Sequence, residues 1–194
     1  MPRHFGGGDF ADLRLVAVTL MIGCLAIDWH PRRLFLVLAA ALFIVRLTST
    51  TLVWRDADQR LHAAMGALRY LPEGARVAGA VAVDTKRWAV NPFEHAPSYA
   101  TVYRDALVNS HFAIPGVHML HVRGLGSDFV DPSQRVFYRD GQPIDLTAFP
   151  PLRHADYLWY FGTEMPARLP AGAKVIYRTP DSFLARLAKP ERAR

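Results

Sequence analysis

The sequence predicts a membrane α-helical hairpin over residues 1–54, followed by a small α/β (α+β) extracytoplasmic domain over residues 55–194. Three observations predict it. Leu34 to Trp54 is an apolar run interrupted by one charge, Arg46, and about twenty residues at helical rise reach about 30 Å, the thickness of bilayer hydrocarbon. A shorter apolar run precedes it, joined through the basic turn His30-Pro31-Arg32-Arg33. Beyond Trp54 the composition changes, with Pro, Asp and Arg separating short apolar segments. A chain of 194 residues that is 51% hydrophobic holds one such hairpin and one compact domain.

In chain order, Met1 to Asp9, with Gly6-Gly7-Gly8, reads as a lead-in to a first span at about 10–29. Its uncharged centre, Leu15 to Ile27, is about 20 Å long as a helix and too short to cross alone. Asp12 and Arg14 at one end and Asp28 and Trp29 at the other suit the two interfaces, with the Arg stem extended outwards. A cleaved signal peptide is the rival reading; the basic start is weak and no A-x-A-like site follows, so a retained span is expected. The second span covers about 34–54. Basic short loops stay on the cytoplasmic side, which puts the turn inside and both outer ends outside. Arg46 costs about 2.5–3.5 kcal/mol at a helix centre. It either pairs with Asp12 or snorkels, or it faces a cavity with Arg14 and holds an anionic lipid phosphate. The hydroxyls of Thr48-Ser49-Thr50-Thr51 are expected to bond back to the helix backbone.

In the domain, Arg55 to Leu71 carries an apolar stripe at Leu61, Ala64, Met65 and Leu68, the spacing of an amphipathic helix, and Pro72-Glu73-Gly74 stops it. Arg76 to Asp84 is a small apolar run suited to a strand buried on both faces. Thr85 to Pro97 reads as a loop. Ser98 to His111 reads as a helix with Ser98 as N-cap and Val102, Ala106 and Leu107 on one face, and Pro115-Gly116 ends this unit. Gln134–Arg139, Asp156–Gly162, Lys174–Arg178 and Ser182–Leu187 read as strands, the last two forming a hairpin around Thr179-Pro180-Asp181.

The chemistry these residues offer is sparse. Cys24 stands alone, which rules out a disulfide within the chain. The net charge of +6 comes from scattered arginines, without the basic face and interleaved aromatics of a nucleic-acid binder. The basic end, Arg186, Lys189, Arg192 and Arg194, reads as solvated. His111, His118 and His121 lack partnering carboxylates at ligand spacing, so no metal is expected. No G-x-G-x-x-G loop follows the first strand, and no cofactor is expected. Tyr157-Leu158-Trp159-Tyr160-Phe161 is either a stacking platform or a core strand, with the core strand favoured. No triad, Cys/His pair or P-loop is present, which counts against autonomous catalysis. The candidate binding residues are Arg14 and Arg46 for phosphate, and Trp88, His95, Tyr99 and Arg104 for a polar ligand, since rings pack on sugar faces and guanidinium groups bond hydroxyls and phosphates.

Several patterns carry a family resemblance. Asp12-x-Arg14-Leu15 opens a late span, and the final span runs into a helix ending Leu68-Arg-Tyr-Leu-Pro72-x-Gly74-x-Arg76-Val77. His95-x-x-x-Tyr99-x-x-x-x-Arg104-Asp105-Ala106 precedes Phe112-Ala113-x-Pro115-Gly116, and the chain closes with Asp156-Tyr157-Leu158, Lys174-Val175-Ile176-Tyr177 and Ser182-Phe183-Leu184-Ala185. These resemble the C-terminal portion of polytopic bacterial membrane proteins related to C-type glycosyltransferases, including uncharacterised members. The resemblance implies a place in the bacterial inner membrane, with the domain facing the periplasm or cell exterior. It further implies a polyprenyl-phosphate sugar as donor and a catalytic carboxylate in an upstream outer loop that this sequence lacks. On that reading the chain is a truncated or split C-terminal piece, not a complete enzyme, and has an upstream multi-span membrane partner. The alternative is a two-span anchor presenting an α/β domain that binds a partner protein or glycan. A fully soluble protein with Leu34–Trp54 as a core helix is the third reading, disfavoured by two apolar runs joined by a basic turn.

Overall fold

The computed structural model describes residues 4–5, 8–9, 11–26, 32–83, 93–110, 119, 136–138, 142–166 and 168–188. The chain divides into two compact units, Met1–Val53 and Trp54–Arg194.

The first unit opens with two short antiparallel strands, β1 (His4–Phe5) and β2 (Gly8–Asp9). Helix α1 covers Ala11–Ala26, and its sixteen residues are about 24 Å long. Helix α2 runs from Arg33 to Met65. Its large apolar side chains from Leu34 to Trp54 are all exposed, Val37 and Val53 by 64% and 69%. Apolar side chains on every side of a helix belong in a nonaqueous surround. Among the described residues, α2 with the turn after it is one helix long and apolar enough to cross a membrane. The structure shows that one; α1 is shorter than a span, and the predicted pair of spans is not shown.

The predicted second span and amphipathic helix are one continuous helix, because no Pro or Gly interrupts the chain between Arg33 and Met65. Within the second unit the predicted stripe packs inwards. Ala64 and Leu68 are buried, and Leu61 and Met65 are partly buried against the same core. A 3₁₀ turn over Gly66–Tyr70 ends the helix. Gly74 adopts φ +69°, where glycine is favoured, and its N–H donates to the Arg104 carbonyl at 2.9 Å.

The second unit is built on a mixed sheet. Its strands are β3 (Arg76–Val83), β4 (Leu107–Val108), β5 (Val136–Tyr138), β6 (Tyr157–Phe161), β7 (Lys174–Arg178) and β8 (Ser182–Arg186). The order is β4-β3-β6-β8-β7, and β5 pairs with β3 further along the edge that β4 occupies. β3 is parallel to β4, β5 and β6, whereas β8 is antiparallel to β6 and β7. Strand period two sends Val77, Val81, Trp159, Phe161 and Leu184 towards α2, the 3₁₀ turn and Ala100. The alternate residues Ala78, Ala80, Leu158, Tyr160, Phe183 and Ala185 meet Ile144, Leu146 and Phe149 on the other face. Burial on both faces explains the near-continuous apolar spelling of β3 and β6. Leu158 to Phe161 are fully buried or nearly so, so this segment is a core strand and not a stacking platform.

The region after the first strand corrects the sequence reading. The predicted helix over Ser98–His111 is helix α3, Tyr99–Arg104, preceded by a 3₁₀ turn at Ala96–Ser98. Asp105 takes the left-handed φ of 47° and stops it, a conformation its short polar side chain tolerates. Leu107 and Val108 are then recruited as β4 to the edge of β3, a long-range pairing that local periodicity does not announce. Val102 is 74% exposed, and the buried position of α3 is Ala100. Ser98 is itself helical and makes no cap; its Oγ bonds Ser110 Oγ at 2.9 Å. Trp88, His111, His118 and His121 lie outside the described residues.

Asn109 completes the sheet edge between β4 and β5. The β3 ladder pairs with β4 at Arg76 and Val77 and with β5 at Val81 to Val83. Gly79 falls in the gap. The Gly79 N–H donates to Asn109 Oδ1 at 2.6 Å, and Asn109 Nδ2 donates to the Gly79 carbonyl at 3.0 Å. The side-chain amide thus supplies the donor and acceptor that a strand would have supplied, satisfying two backbone groups in the interior.

The segment over the second face carries a polar turn at Asp145. The Thr147 hydroxyl donates to Asp145 Oδ1 at 2.6 Å, and the Thr147 N–H at 2.8 Å. Both bonds favour the ionised form and hold the Asp145 carboxyl below its ordinary value of 3.8. A depressed carboxyl stabilises the fold above the unfolded value, and that contribution is lost as pH falls through the folded value. An NMR titration is expected to place Asp145 below 3.8, with Thr147→Val moving it back up.

Candidate functional site

A shallow cleft lies where the sheet turns over at the carboxyl end of β6. The helical spacing of Asp56, Gln59, Arg60 and Ala63 puts them on one side of α2, opposite the β7–β8 turn of Thr179, Pro180 and Asp181. Together they line a cleft of about 300 Å³. The Gly162 N–H donates to the Asp181 carbonyl at 2.8 Å, fixing the turn to the end of β6. The Thr179 hydroxyl lies 2.9 Å from Ser182 Oγ and closes the turn.

Arg60 organises the charges. Its Nη2 reaches Asp56 Oδ2 at 2.8 Å, one helical turn back, and its Nη1 reaches Asp181 Oδ1 at 3.5 Å. The guanidinium carbon stands 6.0 Å from the centre of the Phe93 ring, within cation–π range. The Asp181 side chain is only 10% exposed, whereas Asp56 is 65% exposed. The pair with Asp181 therefore matters more than the pair with Asp56, because water screens the outer carboxylate. Two carboxylates and one guanidinium leave the cleft with a net negative charge, and its lining includes neither histidine nor cysteine. Such a lining suits hydrogen bonding to a polar ligand or to another protein surface. Arg60→Met is expected to lower stability by about 1–2 kcal/mol, since Asp181 would lose its cation while largely buried. Asp56→Asn is expected to change it by less than about 0.5 kcal/mol. Thermal unfolding of the two variants checks the order.

Of the residues singled out from sequence, Arg14 and Arg46 belong to the first unit and His95, Tyr99 and Arg104 to the second. Arg14 lies in α1, its side chain outside the described residues. Arg46 is exposed on α2, and its carbonyl accepts the Ser49 hydroxyl at 2.9 Å. The Thr51 hydroxyl likewise bonds the Leu47 carbonyl at 2.8 Å, as expected for hydroxyls on such a helix. His95 is exposed in the turn before α3. Tyr99 is 40% exposed, with its ring 6.1 Å from that of Tyr103. Arg104 donates Nε to the Leu68 carbonyl at 2.8 Å and so ties α3 to the end of the 3₁₀ turn. His95, Tyr99 and Arg104 share one stretch of chain. The cleft residues Asp56, Arg60 and Asp181 were legible only in part: the i, i+4 spacing of Asp56 and Arg60 signals a helix pair, but nothing local brings Asp181 to it. Among the described residues no group of His, Cys, Asp and Glu is placed to hold a metal ion. No protein-family model matches the chain, and neither curated proteins nor solved structures give a match.

Proposed function

We propose that the chain is the C-terminal part of a membrane-bound, lipid-linked sugar (glycosyl) transferase-like protein of envelope polysaccharide synthesis, without catalysis of its own. The observation that carries this reading is the dual character of α2: uniformly apolar and exposed from Leu34 to Trp54, then buried along its stripe in the α/β core. On this reading α2 crosses the bacterial inner membrane and α1 is the shorter leg of a hairpin. The α/β unit then faces the periplasm or cell exterior. Arg46, with Arg14, meets the phosphate of a polyprenyl-phosphate sugar, while Trp88, His95, Tyr99 and Arg104 meet its polar part. The catalytic carboxylate comes from an upstream multi-span partner.

Two experiments test it. Cysteine placed at Arg33 is expected to resist a membrane-impermeant reagent while cysteine at Ser133 reacts, in a Cys24→Ser background; labelling at position 33 from outside refutes the topology. Pull-down from detergent extract is expected to bring a many-span protein encoded by a neighbouring or in-frame upstream gene. A chain that is active or stable as a solitary gene product counts against the proposal. A second reading, an anchored domain that binds a partner protein or glycan, is favoured by α3, where Tyr99, Val102 and Tyr103 are 40%, 74% and 60% exposed. It predicts capture of that partner without any lipid substrate.

A further inference from the structure

The outer strands of the sheet place unlike chemistry in one row. Register puts Tyr157 of β6 opposite Arg186 of β8, and Arg186 opposite Lys174 of β7. Directly opposed residues have Cβ atoms about 4.5–5.5 Å apart on one face, where like charges repel. Arg186 lies two residues beyond Leu184, whose side chain enters the core on the α2 side, so the row faces that side. A register irregularity between Val175 and Tyr177 puts Tyr177 opposite Leu184, and Lys174 and Tyr177 therefore share this face despite their odd spacing. Tyr177 in turn packs on Tyr70, ring centres 5.5 Å apart, and Tyr70 is 47% exposed.

Among the described residues the charges in this row are uncompensated. Lys174 and Arg186 are both exposed, and neither forms an ion pair among the described residues. The carboxylate nearest in register, Asp156, is held by Arg76 through two bonds of 3.2 Å. Asp56 and Asp181 are committed to Arg60 at the other end of the strands. Among the described residues β7 is the last strand of the sheet, and no described strand pairs with its outer edge.

We infer that this row binds an acidic glycan, a saccharide chain bearing carboxylates, along the β7 edge. The inference rests on the reading of the chain as an envelope-polysaccharide protein and names a ligand surface distinct from the Arg46 and Tyr99 regions. Arg186 and Lys174 hold a sugar carboxylate, the guanidinium bidentately and the ammonium as a point charge. The half-exposed Tyr70 offers an apolar ring face for the sugar ring beside it, while Tyr157 at the inner end of the row packs against the core. Two cations are too few for the phosphate-tracking stripe of a nucleic-acid binder, and as directly opposed neighbours they match the single carboxylate of one uronic-acid residue.

The test is calorimetric titration of the full chain, in a detergent without a sugar headgroup, with tetragalacturonate, maltotetraose and inorganic phosphate. Tetragalacturonate is expected to bind and to weaken about tenfold in the double variant Lys174→Glu/Arg186→Glu, with salt weakening it likewise. Tyr70→Ala is expected to weaken binding while leaving the salt dependence intact. Lys174→Glu alone pairs with Arg186 and is expected to raise the unfolding temperature while losing affinity, which separates loss of binding from loss of fold. Absence of tetragalacturonate binding, binding unchanged in the double variant, or equal binding of maltotetraose or phosphate overturns the inference. Tetragalacturonate binding by a chain that captures no many-span partner would uphold this site and refute the proposed assembly.

Discussion

Asn109→Leu is expected to lower the stability of the α/β unit by about 2–5 kcal/mol, since a buried backbone donor or acceptor left unpaired costs about 1–3 kcal/mol. Asn109 is 1% exposed, and both groups it satisfies belong to Gly79 in the central strand. Water cannot replace it, because the gap lies between β4 and β5 and under Pro97. A Cβ added at Gly79 would stand 2.5 and 2.8 Å from Pro97 side-chain atoms and 3.3 Å from Asn109 Oδ1. Gly79→Ala is therefore expected to destabilise through the same contact, by forcing Pro97 and Asn109 off the strand. Asn109→Asp separates the two bonds: it keeps an acceptor for the Gly79 N–H and sets a carboxylate oxygen against the Gly79 carbonyl. For a unit of this size each kcal/mol corresponds to about 2–8 °C, so the loss is readable in thermal unfolding followed by near-ultraviolet circular dichroism. Asn109→Leu unfolding within 1 °C of the parent would show that the amide closes nothing.

Trp159→Ala is expected to cost about 3–5 kcal/mol, the range for emptying a large buried aromatic site. Trp159 is fully buried, lies against Phe161 with ring centres 5.0 Å apart, and belongs to the core beneath α2. Among the described residues its indole N–H finds no hydrogen-bond partner. Replacement by Phe therefore sacrifices volume but no bond, and removes an unpaired donor from the interior. Trp159→Phe is expected to cost less than about 2 kcal/mol, well under half the Ala penalty. Denaturant unfolding of both variants checks the ratio. Equal penalties would mean that the indole N–H is bonded, and that the polar atom rather than ring volume holds this site.

The elements that could be read from sequence are those whose signal is local. The stripe Leu61, Ala64, Met65 and Leu68 repeats with helical period and packs as that period requires. Arg76–Val83 and Tyr157–Phe161 are spelled as doubly buried strands, and the Thr-Pro-Asp turn marks the β7–β8 hairpin. Leu107 and Val108 continue a helical pattern in sequence, yet they are captured by a strand thirty residues earlier. The cleft has no local signal, because Arg60 and Asp181 are separated by most of the domain and meet only through α2 packing beside the last hairpin. The Arg104 guanidinium donates Nε to a backbone carbonyl, the Leu68 C=O, that carries no mark in the sequence.

Sequence by itself determined where this chain is oily, where it turns and which segments repeat with period two or near 3.6, since burial preference and backbone sterics act over a few residues. Tertiary structure decided that one helix serves both the apolar segment and the core, that an asparagine amide stands in for a missing strand, and that Lys174 and Arg186 face each other across the outer strands. Those outcomes depend on which distant segments share an edge or a face, and hydrogen-bond register between strands carries that information where neighbouring residues do not.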